Sequence, residues 1–248
     1  MRPSDRRARI LEMVARDGEA STEALAATFG VSRETIRRDL FALASTGALQ
    51  RLKGGARRLR LHAEGSFRER MAEHAAAKAE IARRLPGLIA PGDTLFLDTG
   101  TTTLACAAAL RNLDRLTVIT NSLGIARTLS GDGRRVFLLG GLHMPGNDQT
   151  VGPLAIEQIG RFQADHAVLT VAALDAAGAM DADFDEAQIA RAMIAHARNV
   201  IVVAPSAKFG RRAAFAVCRL DEIDVLVSER EPDAPLAAAL AVAKVEVR

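Results

Sequence analysis

The sequence has no tryptophan, no tyrosine and only two cysteines among its 248 residues. Without those aromatic rings it has little with which to stack on unpaired bases, so single-stranded RNA is a poor candidate partner. Cys106 and Cys218 cannot make a disulfide framework, and both lie in apolar segments typical of buried thiols. We therefore expect a cytoplasmic protein whose cysteines are small core residues.

Long apolar runs are missing too. No stretch approaches the roughly 18 residues that a membrane span needs. The N-terminus, from Met1 to Arg7, is charged and has no secretory apolar core behind it. The five histidines show no metal-ligand spacing, and neither a nucleotide-binding P-loop nor a Ser/His/Asp arrangement is visible. We expect no membrane contact, no metal and no cofactor.

The charge is unevenly distributed along the chain. The net charge of +3 is the sum of a positive N-terminal region and a slightly negative remainder. Residues 1–61 contain 13 Lys and Arg against 7 Asp and Glu, a net charge of +6, and the remainder contains 20 against 23, a net charge of −3. A cationic N-terminal region on a slightly acidic body is typical of nucleic-acid binding by the first domain.

The most informative stretch runs from Val31 to Leu40. Ser32 is a good helix N-cap, because its hydroxyl can accept a hydrogen bond from an amide of the first turn. Ile36, Leu40 and Leu43 repeat at helical spacing and predict a buried stripe. The other side of the predicted helix is basic and carries Arg33, Arg37 and Arg38.

The preceding residues predict a partner helix. Residues 21–29 form a short capped segment that ends at Gly30, so the whole stretch predicts helix, tight turn, helix. In a helix-turn-helix the second helix enters the DNA major groove. The alternative is a small helical bundle whose arginines are merely solvated.

A basic hairpin is predicted next. Leu49, Leu52 and Ala56 flank a glycine pair, Gly54 and Gly55, that suits a tight turn. Its basic residues are Arg51, Lys53, Arg57 and Arg58. A basic hairpin beside a basic helix predicts a winged helix-turn-helix, whose wing lies along the phosphates of the duplex.

These segments resemble the N-terminal domain of DeoR-family bacterial transcriptional regulators. The resemblance is carried by residues 9–11, 25–26, 31–32, 35–40 and 54–56. We expect double-stranded operator DNA as the partner. The residues expected to face it are Ser32, Arg33, Thr35, Arg37, Arg38, Lys53, Arg57 and Arg58.

From residue 94 onward, short apolar strands alternate with helices. This pattern predicts a mostly parallel sheet covered on both faces, an α/β fold. The predicted organisation is a winged helix-turn-helix over residues 1–60, a linker over 61–74 and a sensor and oligomerisation domain over 75–248.

Three polar loops follow three successive predicted strands of this α/β region. They are residues 98–103, 120–122 and 140–141. Ligands of open α/β sheets bind beyond the carboxyl ends of the strands, and a threonine-rich helix start offers amides and hydroxyls to an anion. Taken one at a time, the loops are equally well read as ordinary helix caps and turns. Three at equivalent positions favour a ligand site.

The same loops resemble the C-terminal sensor domain of the DeoR family. The resemblance rests on residues 97–102, 117–122, 139–141, 151–152 and 208–210, and residues 178–187 with 208–212 look most like the glycerol-3-phosphate repressors within the family. It implies a fold related to ribose-5-phosphate isomerase and a phosphorylated sugar or polyol as effector.

The resemblance also implies the effector-binding residues. The phosphate would lie at residues 98–103, with Asn121, Glu186 and Lys208 near the polyol. The full expected set is Asp98, Gly100, Thr101, Thr102, Thr103, Thr120, Asn121, Ser122, Gly140, Gly141, Gly152, Glu186 and Lys208. Two positions depart from the family pattern: Pro205 stands where many relatives carry an aspartate, and Met144 where a basic residue is common.

The prediction is a ligand-responsive transcriptional regulator, a repressor by family default, that acts as a homodimer or larger homo-oligomer. The main alternative is a sugar-phosphate isomerase-like enzyme with an appended DNA-binding domain. Candidate acid-base groups for it are Asp98, Asp165, Asp181, Asp183, Glu186 and Lys208. A further alternative is a protein-interaction module.

Overall fold

The structure is a computed structural model that describes residues 1–45, 49–52, 54–57, 65–131 and 133–248. The chain divides into a first unit, Met1–Ala63, and a second unit, Glu64–Arg248. Lys53 and Arg58, two of the expected DNA-binding residues, lie outside the described residues, as do residues 61–64 of the expected linker. The domain boundaries expected at residues 60 and 74 stay predictions.

Three helices build most of the first unit: α1 (Pro3–Asp17), α2 (Thr22–Phe29) and α3 (Arg33–Ser45). Ser21 caps α2, because its hydroxyl accepts a hydrogen bond from the Ala24 amide at 3.0 Å. Gly30 ends α2 with a left-handed backbone, φ +63°, which an L side chain rarely adopts. The chain therefore turns sharply into α3, as the sequence predicts.

A three-stranded antiparallel sheet completes this unit. Its strands are β1 (Glu19–Ser21), β2 (Gln50–Leu52) and β3 (Gly55–Arg57), in the order β1-β3-β2. Gly55 lies so close to β1 that an added Cβ would be 2.4 Å from the Ala20 carbonyl oxygen. In the described residues, β2 and β3 form the predicted hairpin, which we call the wing, and β1 pairs with β3.

The predicted apolar stripe of α3 is buried in the core of the first unit. Ile36 and Leu40 are almost fully covered. They pack with side chains from α1, α2 and the wing, among them Ile10, Val14, Leu25, Leu49 and Ala56. This packing turns the arginine side of α3 toward solvent.

The second unit contains seven helices among its described residues. They are α4 (Phe67–Ala72), α5 (Ala75–Arg84), α6 (Thr101–Leu110), α7 (Leu123–Leu129), α8 (Pro153–Ile159), α9 (Phe184–Ala195) and α10 (Ala234–Ala243). Short 3-10 turns occur at Leu85–Leu88, Ser206–Lys208 and Leu220–Glu222.

The described part of this unit also contains twelve strands. They are β4 (Thr94–Leu97), β5 (Thr117–Thr120), β6 (Arg135–Leu138), β7 (Leu142–Met144), β8 (Gln149–Val151), β9 (Ala164–Leu169), β10 (Ala173–Asp175), β11 (Gly178–Asp181), β12 (Ala197–Val203), β13 (Phe215–Cys218), β14 (Val225–Val227) and β15 (Glu246–Val247).

Seven strands form one parallel sheet in the order β15-β14-β12-β9-β4-β5-β6. The chain runs from β4 outward to β6 and then crosses to the other side of β4 at β9. Such a reversal of direction opens a crevice at the carboxyl ends of the two central strands. The predicted fold class, a winged helix-turn-helix with a parallel α/β domain, is confirmed.

Both faces of the sheet are covered. Leu95 and Leu97 of β4 belong to one apolar cluster and Phe96 to the other, because successive side chains of a strand point to opposite faces. Two smaller sheets, β10-β11-β13 and the hairpin β7-β8, stand beside the main sheet. Among the described residues, no helix has the length and apolar character needed to cross a membrane.

Candidate nucleic-acid interface and effector site

The N-terminal half of α3 presents a cationic surface. Ser32 caps the helix, because its Oγ accepts the Thr35 amide at 3.1 Å and lies 2.9 Å from the Thr35 hydroxyl. The side chains of Arg33, Arg37 and Arg38 are each at least 63% exposed. This is the geometry with which a recognition helix offers its first two turns to DNA.

Acidic neighbours hold these arginines only loosely. Arg33 pairs with Glu23 of α2, while Glu34 is 3.5 Å from Arg37 and 4.0 Å from Arg38. Exposed ion pairs of this kind contribute little free energy and are screened by salt. DNA phosphates can therefore replace the carboxylates at small cost.

A buried ion pair fixes the orientation of α3. Asp39 has an almost fully covered side chain and accepts hydrogen bonds from Arg6 Nε at 2.6 Å and Arg7 Nε at 2.9 Å, both on α1. The sequence analysis did not single out Asp39. The sequence feature that could have indicated this role is a carboxylate next to Leu40, on the buried side of an amphipathic helix.

The wing adds positive charge beside α3. A cavity of about 230 Å³ opens between α3 and the wing, and the arginines that line it are Arg33, Arg37 and Arg51. The Arg51 guanidinium also lies over the ring of Phe41, 5.7 Å from its centre. Arg57 is exposed on β3. A phosphate group could enter this cavity.

The central crevice of the second unit is built by the loops after β4 and β9. The Asp98 amide donates to the Val168 carbonyl at 3.1 Å, which continues the strand pairing by one residue. A Cβ on Gly100 would lie 2.2 Å from Cγ2 of Thr170. A larger residue would have to displace the Thr170 side chain, so Gly100 lets the two loops lie in direct contact.

The three expected threonines form the first turn of α6. Thr101, Thr102 and Thr103 are all buried, and the Thr103 hydroxyl donates to the Gly100 carbonyl at 3.0 Å. The helix begins at Thr101. First-turn amides have no partner within their own helix and carry partial positive charge, which suits an anion.

The loop after β5 is tied to both of its neighbours. Ser122 caps α7 by accepting the Ile125 amide at 3.3 Å, and Thr120 Oγ1 accepts the Ser122 amide at 3.1 Å. Asn121 is fully buried. Its Oδ1 accepts the Thr99 hydroxyl at 3.1 Å, and its Nδ2 donates to Gln149 Oε1 at 3.2 Å and to the Thr150 carbonyl at 3.1 Å. Asn121 therefore joins loops to one another.

The expected glycines after β6 serve packing. The Gly140 amide donates to Gln158 Oε1 at 3.0 Å. Gly141 has φ +151°, and a Cβ there would lie 2.6 Å from the Val151 carbonyl oxygen. Gly152 precedes α8 with φ +91°. Gly140 and Gly141 allow close contacts with α8 and β8, whereas Gly152 has a backbone conformation that an L side chain rarely adopts.

The carboxyl group of Asp98, just before the threonine turn, lies within electrostatic range of those of Glu186 and Asp181. Burial raises the pKa of Asp98 well above its usual range, and the charges of Glu186 and Asp181 raise it further. Burial and the Asp181 charge also raise the pKa of Glu186 to about 7. Glu186 accepts hydrogen bonds from Asn147 and Gln149. Carboxyl groups that keep a proton can both donate to and accept from the hydroxyls of a ligand.

Lys208 follows β12, the neighbour of β9 in the parallel sheet. It ends the 3-10 turn Ser206–Lys208, and its Nζ donates to the Val171 carbonyl, just beyond β9, at 2.5 Å. Pro205, where many relatives carry an aspartate, begins this turn. Glu229 holds the turn instead, because its carboxylate accepts both the amide and the hydroxyl of Ser206.

The structure thus brings together the threonine turn, Asp98, Asn121, Glu186 and the neighbourhood of Lys208. Sequence reasoning missed several contributors that come from other elements: Arg70, Asn147, Gln149 and Thr170. Within the described ranges, no group of three or more His, Cys, Asp or Glu side chains is arranged to hold a metal ion.

Both units match known domain families. Residues 6–60 match the DeoR-like helix-turn-helix domain, and residues 73–230 match the DeoR C-terminal sensor domain. The fold and the exposed arginine helix, together with these matches, define a DNA-binding transcriptional regulator with a sensor domain.

Individual relatives agree with this class. The chain is 33% identical to the HTH-type transcriptional repressor CsqR of Escherichia coli (strain K12) over 96% of this chain and 92% of that protein. It is also 33% identical to the glycerol-3-phosphate regulon repressor of the same strain, over 94% and 93%. The chain belongs to the DeoR family, and the predicted family resemblance is confirmed.

A solved structure of D-ribose-5-phosphate isomerase matches the chain more distantly. The match covers 59% of this chain and 55% of that chain, with a TM-score of 0.40 and 14% identity.

Proposed function

We propose that this regulator is a repressor of carbohydrate or polyol catabolism genes, and that a phosphorylated sugar or polyol such as glycerol-3-phosphate controls its operator binding. The names of the relatives support repression, and one of them names the glycerol-3-phosphate regulon. The proposal places the protein in the cytoplasm, where operator DNA is found.

One observation carries the effector part of the proposal. The buried threonine turn of α6 lies beside the buried carboxyl cluster, at the reversal point of the sheet. Amides, hydroxyls and the helix dipole suit a phosphate. Protonated carboxyls suit the hydroxyls of a polyol. A ligand that carries both groups fits the two chemistries better than inorganic phosphate or an unphosphorylated sugar.

The DNA part follows from the first unit. Arg33, Thr35, Arg37 and Arg38 would contact base edges and phosphates from α3, and Ser32 would hold the start of the helix. Lys53, Arg57 and Arg58 would contact the backbone from the wing. Because one such unit makes few contacts, the protein would act as a homodimer or larger, with half-sites about 34–36 Å apart or a multiple of that distance.

A thermal-shift titration tests the effector. We expect glycerol-3-phosphate to raise the melting temperature of the wild-type chain more than glycerol or inorganic phosphate does. Thr101→Val and Thr102→Val should reduce that shift, and Thr28→Val, on the surface of α2, should not. Stabilisation by unphosphorylated sugars alone would overturn the phosphate assignment.

The enzyme alternative keeps one supporting observation. A carboxyl group with a pKa of about 7 beside a buried aspartate is the kind of pair that proton transfer uses. In this proposal the pair only binds. Incubation of the purified protein with ribose-5-phosphate should therefore give no ketose product, and turnover would favour the isomerase-like alternative.

A further inference from the structure

Two arms of hydrogen bonds end on one oxygen atom of Glu186. The first starts at the phosphate loop: Thr99 donates to Asn121 at 3.1 Å, Asn121 donates to Gln149 at 3.2 Å, and Gln149 donates to Glu186 Oε1. Every donor in this arm points the same way, toward Glu186.

The second arm starts at α4. Arg70 Nη2 donates to Asn147 Oδ1 at 2.7 Å, and Asn147 Nδ2 donates to the same Oε1 of Glu186. The positive charge of Arg70 also acts on Glu186, because it opposes the rise in the pKa of that carboxyl. We call the two arms together the polar relay: Thr99, Asn121, Gln149, Glu186, Asn147 and Arg70.

The far end of the relay is α4, the first helix after the DNA-binding unit among the described residues. Helix α4 begins ten residues after the last residue of β3. A capping box between Ser66 and Glu69 closes its start. Lys78, buried on α5, donates to the Arg70 carbonyl. Arg70 is therefore held at its backbone by α5 and at its guanidinium by the relay.

Both arms share a single acceptor, so they are coupled through it. Hydrogen bonds in a chain polarise one another, and a buried network that loses one member leaves the others poorly satisfied. A ligand that bonds to the phosphate loop or to Glu186 changes the acceptor that Asn147 and Gln149 share, and Asn147 in turn accepts the hydrogen bond of Arg70. The relay thus links occupancy of the site to the hold on α4 by contiguous contacts.

We propose that the polar relay transmits effector binding to α4, with Asn147 and Arg70 as positioning residues that couple the effector site to the segment leading to the DNA-binding unit. This inference rests on the proposed function. It adds Asn147 and Arg70 to the residues expected to respond to the effector.

The strength of the coupling between effector and operator binding is measured as the ratio of two operator dissociation constants. Operator dissociation constants of the full chain are determined with and without saturating glycerol-3-phosphate. Allosteric coupling typically changes affinity about 5- to 150-fold. In Arg70→Met and in Asn147→Ala the ratio should fall to within about twofold of 1. Arg70→Lys should restore part of it, and Arg68→Met, an exposed arginine of the same helix, should keep the wild-type ratio.

A second measurement needs no effector. Hydrogen exchange of the α4 amides is followed in the ligand-free full chain. Glu186→Ala, more than 100 residues away in sequence, should speed the exchange of residues 67–72 at least threefold, and Arg68→Met should leave the exchange of residues 69–72 unchanged. A purely local role for Glu186 would not reach α4.

The outcomes separate the two proposals. If glycerol-3-phosphate does not change the operator affinity of the wild-type chain, the assignment of glycerol-3-phosphate as effector is wrong. The hydrogen-exchange experiment then tests the polar relay by itself. A responsive wild-type chain with an equally responsive Arg70→Met variant overturns the relay and leaves the effector standing. Unchanged α4 exchange in Glu186→Ala also counts against the relay.

Discussion

The two units use charge in opposite ways. On α3 the arginines are exposed and their carboxylate partners are loose, so their charges act outward on whatever anion approaches. In the second unit the carboxyl groups of Asp98 and Glu186 are removed from water, and burial raises their pKa values. Solvation therefore decides the role: solvated charge gives long-range attraction, and desolvated acid gives directional hydrogen bonding.

One ion pair of the first unit, between Arg6 and Asp39, is buried and does not follow this pattern. Its removal should have the largest effect of the changes that we predict. Asp39→Ala leaves the Arg6 guanidinium buried without its carboxylate, which costs about 3–5 kcal/mol. We expect the transition of the first unit to shift to much lower urea concentration, with loss of operator binding. Asp17→Ala removes an exposed pair with Arg16 and should leave the transition unchanged. Equal midpoints for the two variants would contradict a structural role for Asp39.

The next prediction concerns the exposed arginines of α3. Arg37→Ala combined with Arg38→Ala should weaken operator binding at least about 100-fold, since each lost phosphate or base contact removes charge and hydrogen bonds together. Ligand-induced stabilisation should persist. A gel-shift titration at fixed salt measures the loss. The matched control is Arg161→Ala with Arg198→Ala, two exposed arginines of the second unit, and a wild-type shift in the α3 double variant would remove the helix from the mechanism.

The buried site depends on the contact between its two central loops. Gly100→Ala would place a Cβ 2.2 Å from Cγ2 of Thr170, so the Thr170 side chain or the loops that carry the two residues must shift. We expect effector affinity to fall about tenfold or more, measured by calorimetry, with operator binding retained. Gly146→Ala has open space around its Cβ and should bind as the wild type does. Equal affinities for both variants would show that the loop contact is dispensable.

The smallest expected effect is a change in how the melting temperature depends on pH. Because the folded pKa of Glu186 is raised to about 7, its protonated form stabilises the fold at low pH, and this contribution is lost as the pH rises from about 4.5 through 7. Glu186→Gln keeps the acceptor oxygen but cannot ionise. Its melting temperature should fall less between pH 5 and pH 8 than that of the wild type, by a few degrees. Glu157→Gln, on the surface, should follow the wild-type slope; identical slopes for Glu186→Gln would contradict the shifted pKa.

Local patterns were predicted well. Ser32, Gly30 and the apolar stripe of α3 depend on neighbours within one or two turns, so the sequence shows them directly. The parallel strands were also legible, because strands buried on both faces are apolar throughout. By contrast, β1, the β7-β8 hairpin and the β10-β11-β13 sheet were missed. Strands of three or four residues are too short to show an alternating pattern.

Only some residues of the candidate effector site could be predicted from the sequence. The threonine turn and Asn121 follow buried strands, and that position predicts a shared edge. Arg70, Asn147 and Gln149 lie in segments without periodicity, and only tertiary folding brings them to Glu186. Likewise, Gly100 and Gly141 are recognisable as glycines, but the contact that demands each of them lies on another element.

The pairing of β4 with β9 has a consequence for synthesis of the chain. These neighbours at the centre of the sheet are roughly 70 residues apart in sequence, as Leu95 and His166 show. On the ribosome, the helices of the first unit can assemble from nearby contacts while β4 still waits for β9 to emerge. A nascent chain therefore acquires its arginine helix before it can acquire the central crevice of the second unit.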